Sequence, residues 1–274
     1  MRPLTQNREN ALTLLAYTSL LNQLLANDRK VYFKMKAYQF TNSWFDPHKH
    51  VWDQLFDQFK PTKILEIGSF EGASTCYIIE KLGETSAIEV QCIDTWTGGV
   101  EHQKGGHAEA DMKAVEERFV SNTSHAISKS RNRIDLTTHK MDSCKALAKL
   151  LADHKSGYFD FIYIDGSHQA PDVLSDAVLS YQLLRKNGIM VFDDYLWQEN
   201  FGAPVDPIRC PKIAIDAFSN IYCRKIKILH APLNQLYIQK IADWATVKSS
   251  VQQPQVLSIN DLVVELCLIH VHFW

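Results

Sequence analysis

The sequence predicts an α/β fold: a doubly wound, mostly parallel sheet of seven strands with a helical extension in front of it. Three observations predict it. Short apolar runs alternate with amphipathic stretches of helical period from residue 61 onward. One run, Lys63-Ile-Leu-Glu-Ile-Gly-Ser-Phe-Glu-Gly-Ala-Ser74, passes from strand to glycine turn to helix without a break. Four of the strands end in or beside a carboxylate: Glu66, Asp94, Asp165 and the pair Asp193-Asp194. In an open α/β sheet ligands collect at the carboxyl ends of the strands, so acidic residues repeated there point to one shared site.

Residues 11–25 read as an amphipathic helix, because Glu9 and Asn10 precede the apolar positions and Thr, Ser, Asn and Gln interrupt them. An aromatic stretch from Tyr38 to Pro47 and a short helix from about His48 to Phe59 complete an extension and lid over 1–60. Pro61 then leads into a domain spanning 61–245. In the first strand Ile64, Leu65 and Ile67 suit burial on both faces. Gly68 and Gly72 allow a tight turn, and Ser74 caps or opens a helix that runs to Leu82. The second strand covers Ala87 to Asp94, and the polar segment after it contains a helix near Asp111 to Phe119. The third strand is Ile134 to His139; Asp142 or Ser143 caps a helix with Leu147, Leu150 and Leu151 on one face.

The fourth strand is Phe159 to Asp165. Pro171 suits the first turn of the next helix, with Val173, Ala177, Tyr181 and Leu184 as its buried stripe and Asn187-Gly188 at its end. Ile189 to Asp193 is a continuous apolar fifth strand. A loop from Tyr195 to Pro211, a helix from Ile213 to Tyr222 and strands at Lys225 to His230 and Leu236 to Ile241 close the domain. Residues 246–274 remain as an apolar tail.

At 274 residues, 46% hydrophobic and 22% charged, the chain has the composition of an ordered globular protein and room for one full domain with additions. A net charge of -2 with no clustered Lys or Arg gives no sign of a nucleic-acid groove. No stretch reaches the ~18 uninterrupted apolar residues of a membrane span. The six cysteines are scattered without a C-x-x-C pair, which fits a reduced, cytoplasmic protein. The N-terminal helix offers a face for packing against a second copy.

The glycine turn decides which cofactor is expected. A dinucleotide fingerprint uses its second glycine to let the backbone approach a pyrophosphate, and here Phe70 stands in that place, which argues against NAD. At the end of the second strand Asp94 can accept both ribose hydroxyls of a nucleoside. Asp142-Ser143 is placed to meet an adenine edge, to cap its helix, or both. Glu66 orients the loop or a cofactor amine indirectly. Asp165 and the Asp193-Asp194 pair lie one strand–helix–strand crossover apart. As hard oxygen ligands meeting at one point they suit Mg²⁺ or a similar divalent ion; without an ion at least one would be pushed to protonate. His168, three residues after Asp165, and His102 are the candidate bases.

The E-x-G-x-x-x-G-x-S pattern from Glu66 to Ser74 resembles motif I of class I methyltransferases that use S-adenosylmethionine. With Cys92-Ile-Asp-Thr-Trp96, Phe161 to His168 and Gly188 to Tyr195, it is similar to the metal-dependent O-methyltransferases of the macrocin and novobiocin sugar-methylating kind. More distantly it resembles catechol O-methyltransferase. The resemblance covers roughly residues 38 to 241 and implies a Rossmann-like methyltransferase fold. The expected S-adenosylmethionine set is then Glu66, Gly68, Ser69, Phe70, Gly72, Ser74, Asp94, Thr95, Trp96, Asp142, Ser143 and Asp165. Asp165, Asp193 and Asp194 would hold Mg²⁺, and Asp165, His168 and His102 would serve catalysis on a hydroxyl of a small, sugar-containing acceptor. An aromatic lid from Phe40, Trp44 and Trp96 would pack on the C–H faces of the sugar. The competing reading is a non-catalytic nucleotide-binding domain, a scaffold or regulator that binds cofactor without turnover.

Overall fold

The computed structural model describes residues 37–199 and 204–243; the helix expected at 11–25, with its face for a second copy, and the tail at 246–274 lie outside them. The strands are β1 (Lys63–Ile67), β2 (Ile88–Asp94), β3 (Ile134–Lys140), β4 (Phe159–Ile164), β5 (Leu184–Phe192), β6 (Ile226–Leu229) and β7 (Leu236–Lys240). They form one seven-stranded sheet in the order β3-β2-β1-β4-β5-β7-β6. β1 to β5 are parallel, while β7 runs antiparallel to β5 and β6 antiparallel to β7. This is the Rossmann-like methyltransferase arrangement, with β1 and β4 at the centre, where the strand order reverses and a ligand crevice opens.

Strand residues alternate between two apolar layers. Ile64, Val90, Phe161, Val191 and Tyr237 face α1 (Lys49–Phe59), α2 (Ala73–Gly83) and α3 (Met112–Lys129). Leu65, Ile67, Ile162, Met190 and Phe192 face α4 (Ser143–Ala152), α5 (Ala170–Leu183) and α6 (Pro211–Ile221). Trp52 anchors α1 in the first layer. It is fully buried, packs edge-on against Phe161 and Tyr163, and donates its indole N–H to Gln235 Oε1 at 3.0 Å.

Three element expectations differ from the structure. The helix expected near 111–119 runs for 18 residues, from Met112 to Lys129, capped by Asp111. Its buried face continues past Phe119 through Asn122, Thr123, His125 and Ala126, residues that carry little hydrophobic signal. Asn187-Gly188 does not end α5, which stops at Leu183 and turns directly into β5. The carbonyls of Gln182 and Leu183 accept from Gly157 and Tyr158 at 2.8 Å, so pairing with the start of β4 ends the helix early. Asn187 then takes φ +66 where the register of β5 shifts against β4. Finally, Gly72, not Ser74, is the N-cap of α2, and it adopts φ +80.

Candidate active site

The turn after β1 is held by two carboxylates. Asp94 Oδ2 accepts from the backbone N–H groups of Ser69 and Phe70, each at 2.9 Å, and Oδ1 accepts from Trp96 N–H at 2.7 Å. Glu66 lies beneath, fully buried, and accepts from the hydroxyls of Ser69, Ser74 and Thr75 and from the Cys92 thiol. Burial pushes the Glu66 carboxyl up, and these four donors offset part of that push. Gly68 sits where β1 passes β4: its N–H donates to Ile93 O at 2.8 Å, and Asp165 N–H donates to Ile67 O at 2.8 Å.

One cavity of about 1240 Å³ opens over these strand ends. It brings together Gly68, Ser69, Phe70, Ser74, Asp94, Thr95, Asp142, Ser143, Asp165, His168, His102, Asp193 and Asp194, so most of the expected site residues share one space. Glu66, Gly72 and Trp96, also in the expected cofactor set, do not line it. Glu66 braces the turn from below, and Gly72 closes the helix start against Phe119. Trp96 is buried, donating its indole N–H to Phe70 O at 3.0 Å and packing on Phe119. Gly72 and Trp96 are thus taken up by the scaffold, while Glu66 orients the loop, one of the two indirect roles read for it. Asp142 accepts from Lys145 N–H as the cap of α4, one of the roles read for it, and also lines the cavity.

At the β4–β5 end Tyr163 is the organising residue. Its hydroxyl donates between Asp165 Oδ2, at 3.0 Å, and Asp193 Oδ2. Asp194 turns the other way, and its Oδ2 lies 2.7 Å from His168 Nε2. Asp194 has φ +54, and its N–H donates to Asp193 Oδ1 at 2.8 Å. The three carboxylates therefore do not converge around a single point as expected, and among the described residues no group of three or more His, Cys, Asp or Glu side chains is arranged to hold a metal ion. Their mutual charge is nonetheless felt. Burial, then the charges of Asp193 and Asp194, push the Asp165 carboxyl far up; burial and Asp194 bring Asp193 to about 6. Burial opposes the charged form of His168, but the bond to Asp194 and the charges of Asp194, Glu101 and Asp193 outweigh it and raise its pKa.

The sequence reading missed four residues here: Tyr163, His48, Glu101 and Trp197. His48 Nε2 approaches Asp193 Oδ1 at 3.9 Å, and Trp197 covers the His168 ring with centroids 4.1 Å apart. Tyr163 reads as one more aromatic in an apolar strand, and only register places its hydroxyl between two aspartates. The aromatic lid is also smaller than expected. Trp44, 57% exposed, stands over Phe70, while Phe40 stacks on Tyr38 away from the cavity and Trp96 is core. Glu71 ties this segment down by accepting from Thr41 and pairing with Arg118 Nε at 2.6 Å.

Asp176 on α5 lies behind this wall with 1% exposure, and its Oδ1 has no hydrogen-bond partner. Burial pushes its carboxyl up to about 7, with Ser143 lowering it in part. The folded pKa therefore stands above the unfolded value of about 3.9. The native state holds the proton longer, so stability falls as pH rises from about 4 to about 7, by at most ~1.4 kcal/mol per unit. Asp176→Asn is expected to flatten that decline in urea-melt midpoints between pH 5 and pH 8. An identical slope in both proteins would show that Asp176 ionises normally.

Among the described residues no helix is long and apolar enough to cross a membrane. Residues 65–195 match the family described as Methyltransferase domain. The chain is 27% identical over 178 residues to the uncharacterized protein R132 of Acanthamoeba polyphaga mimivirus, covering 64% of this chain and 69% of that one. Among solved structures, the O-methyltransferase TomG of Streptomyces achromogenes, involved in tomaymycin synthesis and crystallised with SAM, superposes with a TM-score of 0.51 at 14% identity, over 83% of this chain and 95% of that one. The Bacillus cereus O-methyltransferase in complex with SAH gives 0.49 at 16% identity, over 81% and 91%. The likeness to TomG is one of fold. The matched span runs from within β1 through β5 and includes the clamped turn and the aspartate pair.

Proposed function

We propose that the chain is an S-adenosylmethionine-dependent O-methyltransferase, assisted by Mg²⁺, that acts on a hydroxyl of a small, sugar-containing acceptor. One observation carries the reading: a carboxylate-clamped glycine turn and a half-buried His168–Asp194 pair, 2.7 Å apart, open into the same cavity. A cofactor-binding scaffold has no use for such a pair. Bound at the turn, S-adenosylmethionine supplies an electrophilic methyl group on its sulfonium. Gly68 and the N–H groups after it define the turn, Asp94 keeps lone-pair capacity for ribose hydroxyls beyond its three backbone bonds, and Asp142-Ser143 meets the adenine end.

A sugar hydroxyl is a weak acid at neutral pH, so transfer needs a group that takes its proton. His168, held through Nε2 by the Asp194 carboxylate, is the residue placed for that role. Trp197 covers the ring face and helps to exclude water. The exposed Trp44 beside Phe70 suits the C–H face of a sugar. The donor set fits Mg²⁺ in kind, because Asp165, Asp193 and Asp194 are all hard oxygen ligands whose crowding a cation relieves. Those three residues would hold the ion. An ion there would lower the pKa of the acceptor hydroxyl.

Calorimetry with S-adenosylhomocysteine tests the donor, and methyl-transfer assays with and without chelator test the metal. Asp94→Ala is expected to weaken S-adenosylhomocysteine by about 1.5–3 kcal/mol, the range for hydrogen bonds to a charged group. Unchanged affinity would overturn the donor assignment. Full transfer in a chelator by the Asp193→Asn, Asp194→Asn double variant would remove the metal.

A further inference from the structure

We propose that Glu71 is a positioning residue that makes the acceptor wall an extension of the cofactor turn: through Thr41 it holds Trp44 over Phe70, so that binding of the methyl donor completes the acceptor face. The inference deepens the proposed function and rests on its placement of the donor at the turn and of the acceptor beside Trp44. Three features carry it.

First, Glu71 commits both oxygens to groups outside the turn. It is 2% exposed, and its Oε2 accepts from Thr41 N–H at 2.7 Å. Its Oε1 accepts from the Thr41 hydroxyl at 2.7 Å and from Arg118 Nε at 2.6 Å. Arg118 supplies the opposite charge that a buried carboxylate requires. The two bonds to Thr41 go beyond that requirement, and they fix where residue 41 lies.

Second, residues 38–43 belong to no helix or strand, and side chains of the domain hold their backbone in place of a neighbouring strand. Asn122 of α3 accepts from Gln39 N–H at 2.7 Å, and it donates to Gln39 O at 3.2 Å and to Glu71 O at 2.9 Å. Glu71 holds Thr41 two residues on. Trp44 then stands between this anchor and the buried Phe45, with its ring 5.4 Å from that of Phe70. Third, the turn itself is clamped at the residue before Glu71. Phe70 has φ +48, a backbone conformation that L side chains rarely adopt. Asp94 Oδ2 holds its N–H at 2.9 Å, and the Trp96 indole N–H holds its carbonyl at 3.0 Å.

These links join donor to acceptor. A ribose on Asp94 steadies the carboxylate that clamps Phe70; Glu71 is the next residue of the turn, and Thr41 and Trp44 follow Glu71. Phe70 also stacks on His102 at 5.1 Å, so a steadier turn steadies two sides of the acceptor wall at once. A Glu71 that merely pairs with Arg118 behaves differently: its loss loosens residues 39–44 by one factor, whether or not the donor is bound. Coupling therefore shows in the ratio of the two states.

Hydrogen exchange on the full chain, with and without saturating S-adenosylhomocysteine, reads that ratio. In the wild type the ligand is expected to slow exchange at residues 66–74 and, by about fivefold or more, at residues 39–44. Glu71→Ala keeps the first effect and loses the second, and Glu71→Gln, whose amide oxygen still accepts from Thr41, retains part of it. Thr41→Val, a change at an exposed residue that leaves the Glu71–Arg118 pair intact, reduces the second effect at least about twofold. Protection at 66–74 without protection at 39–44 in the wild type overturns the proposal, as does one ratio at 39–44 shared by the wild type, Glu71→Ala and Thr41→Val. An absence of protection at 66–74 removes the donor from the turn and this proposal with it, so the two failures are told apart. Should Glu71→Ala fold poorly, Thr41→Val decides alone.

Discussion

Gly68→Ala is expected to cost about 2–5 kcal/mol of stability, a large share of the roughly 5–15 kcal/mol that holds a domain folded. Gly68 has φ +82, a conformation that costs an alanine about 1–2 kcal/mol. The larger part is steric. A Cβ there would lie 1.8 Å from the carbonyl oxygen of Asp165, 2.5 Å from its carbon and 2.8 Å from Gly166 Cα. All three are backbone atoms, so no rotamer change relieves the clash. The ends of β1 and β4 must part, which strains the bonds from Asp165 N–H to Ile67 and from Gly68 N–H to Ile93. Overpacking of this kind adds about 1–3 kcal/mol or more. Gly157→Ala is the control: φ is +61 there, and nothing lies within 4 Å of the added carbon. Urea melts of both variants decide the matter. Equal losses would mean that β1 and β4 yield more easily than their hydrogen bonds suggest.

His168→Ala is expected to reduce kcat by about 10²- to 10⁴-fold, the usual worth of a positioned general base, while S-adenosylhomocysteine affinity stays near that of the wild type. The separation follows from place. His168 sits at the β4–β5 end with Asp194 and Trp197, whereas the cofactor turn is clamped by Asp94 and braced by Glu66. His102, the second candidate base, is placed differently. Its Nδ1 is engaged by Glu101, its ring stacks on Phe70 at 5.1 Å, and its Nε2 is buried without a partner. His102→Ala is therefore expected to disturb substrate binding more than the pace of a bound complex. A kcat for His168→Ala within about threefold of wild type would move the base elsewhere.

Much of this protein is legible from local pattern. A strand buried on both faces must be apolar on both, so β1, β2, β4 and β5 announce themselves, and a parallel sheet needs the intervening helices that the alternation supplies. Gly68 and Gly72 mark a turn because glycine takes φ above zero at little cost, and both adopt it. Carboxylates recurring at strand ends mark the crevice, and all but Glu66 among Glu66, Asp94, Asp165, Asp193 and Asp194 do line it.

Tertiary structure decided what each polar side chain faces. Glu66 and Asp165 look alike in sequence, each an acid at or near a strand's end. Yet Glu66 is enclosed by Ser69, Ser74, Thr75 and Cys92, whereas Asp165 opens on the cavity and meets Tyr163. Asp193 and Asp194 are adjacent in the chain, but φ +54 at Asp194 sends their carboxylates to different partners, Tyr163 and His168. The end of α5 was settled by Gly157 and Tyr158 bonding to its last carbonyls, a pairing with residues more than a helix away in sequence. Periodicity reports which face of an element is buried; it carries no record of the atom waiting on the other side. The sequence by itself determined the architecture, because burial averages over many residues, and the structure alone decided the site, because a hydrogen bond depends on the position of one partner.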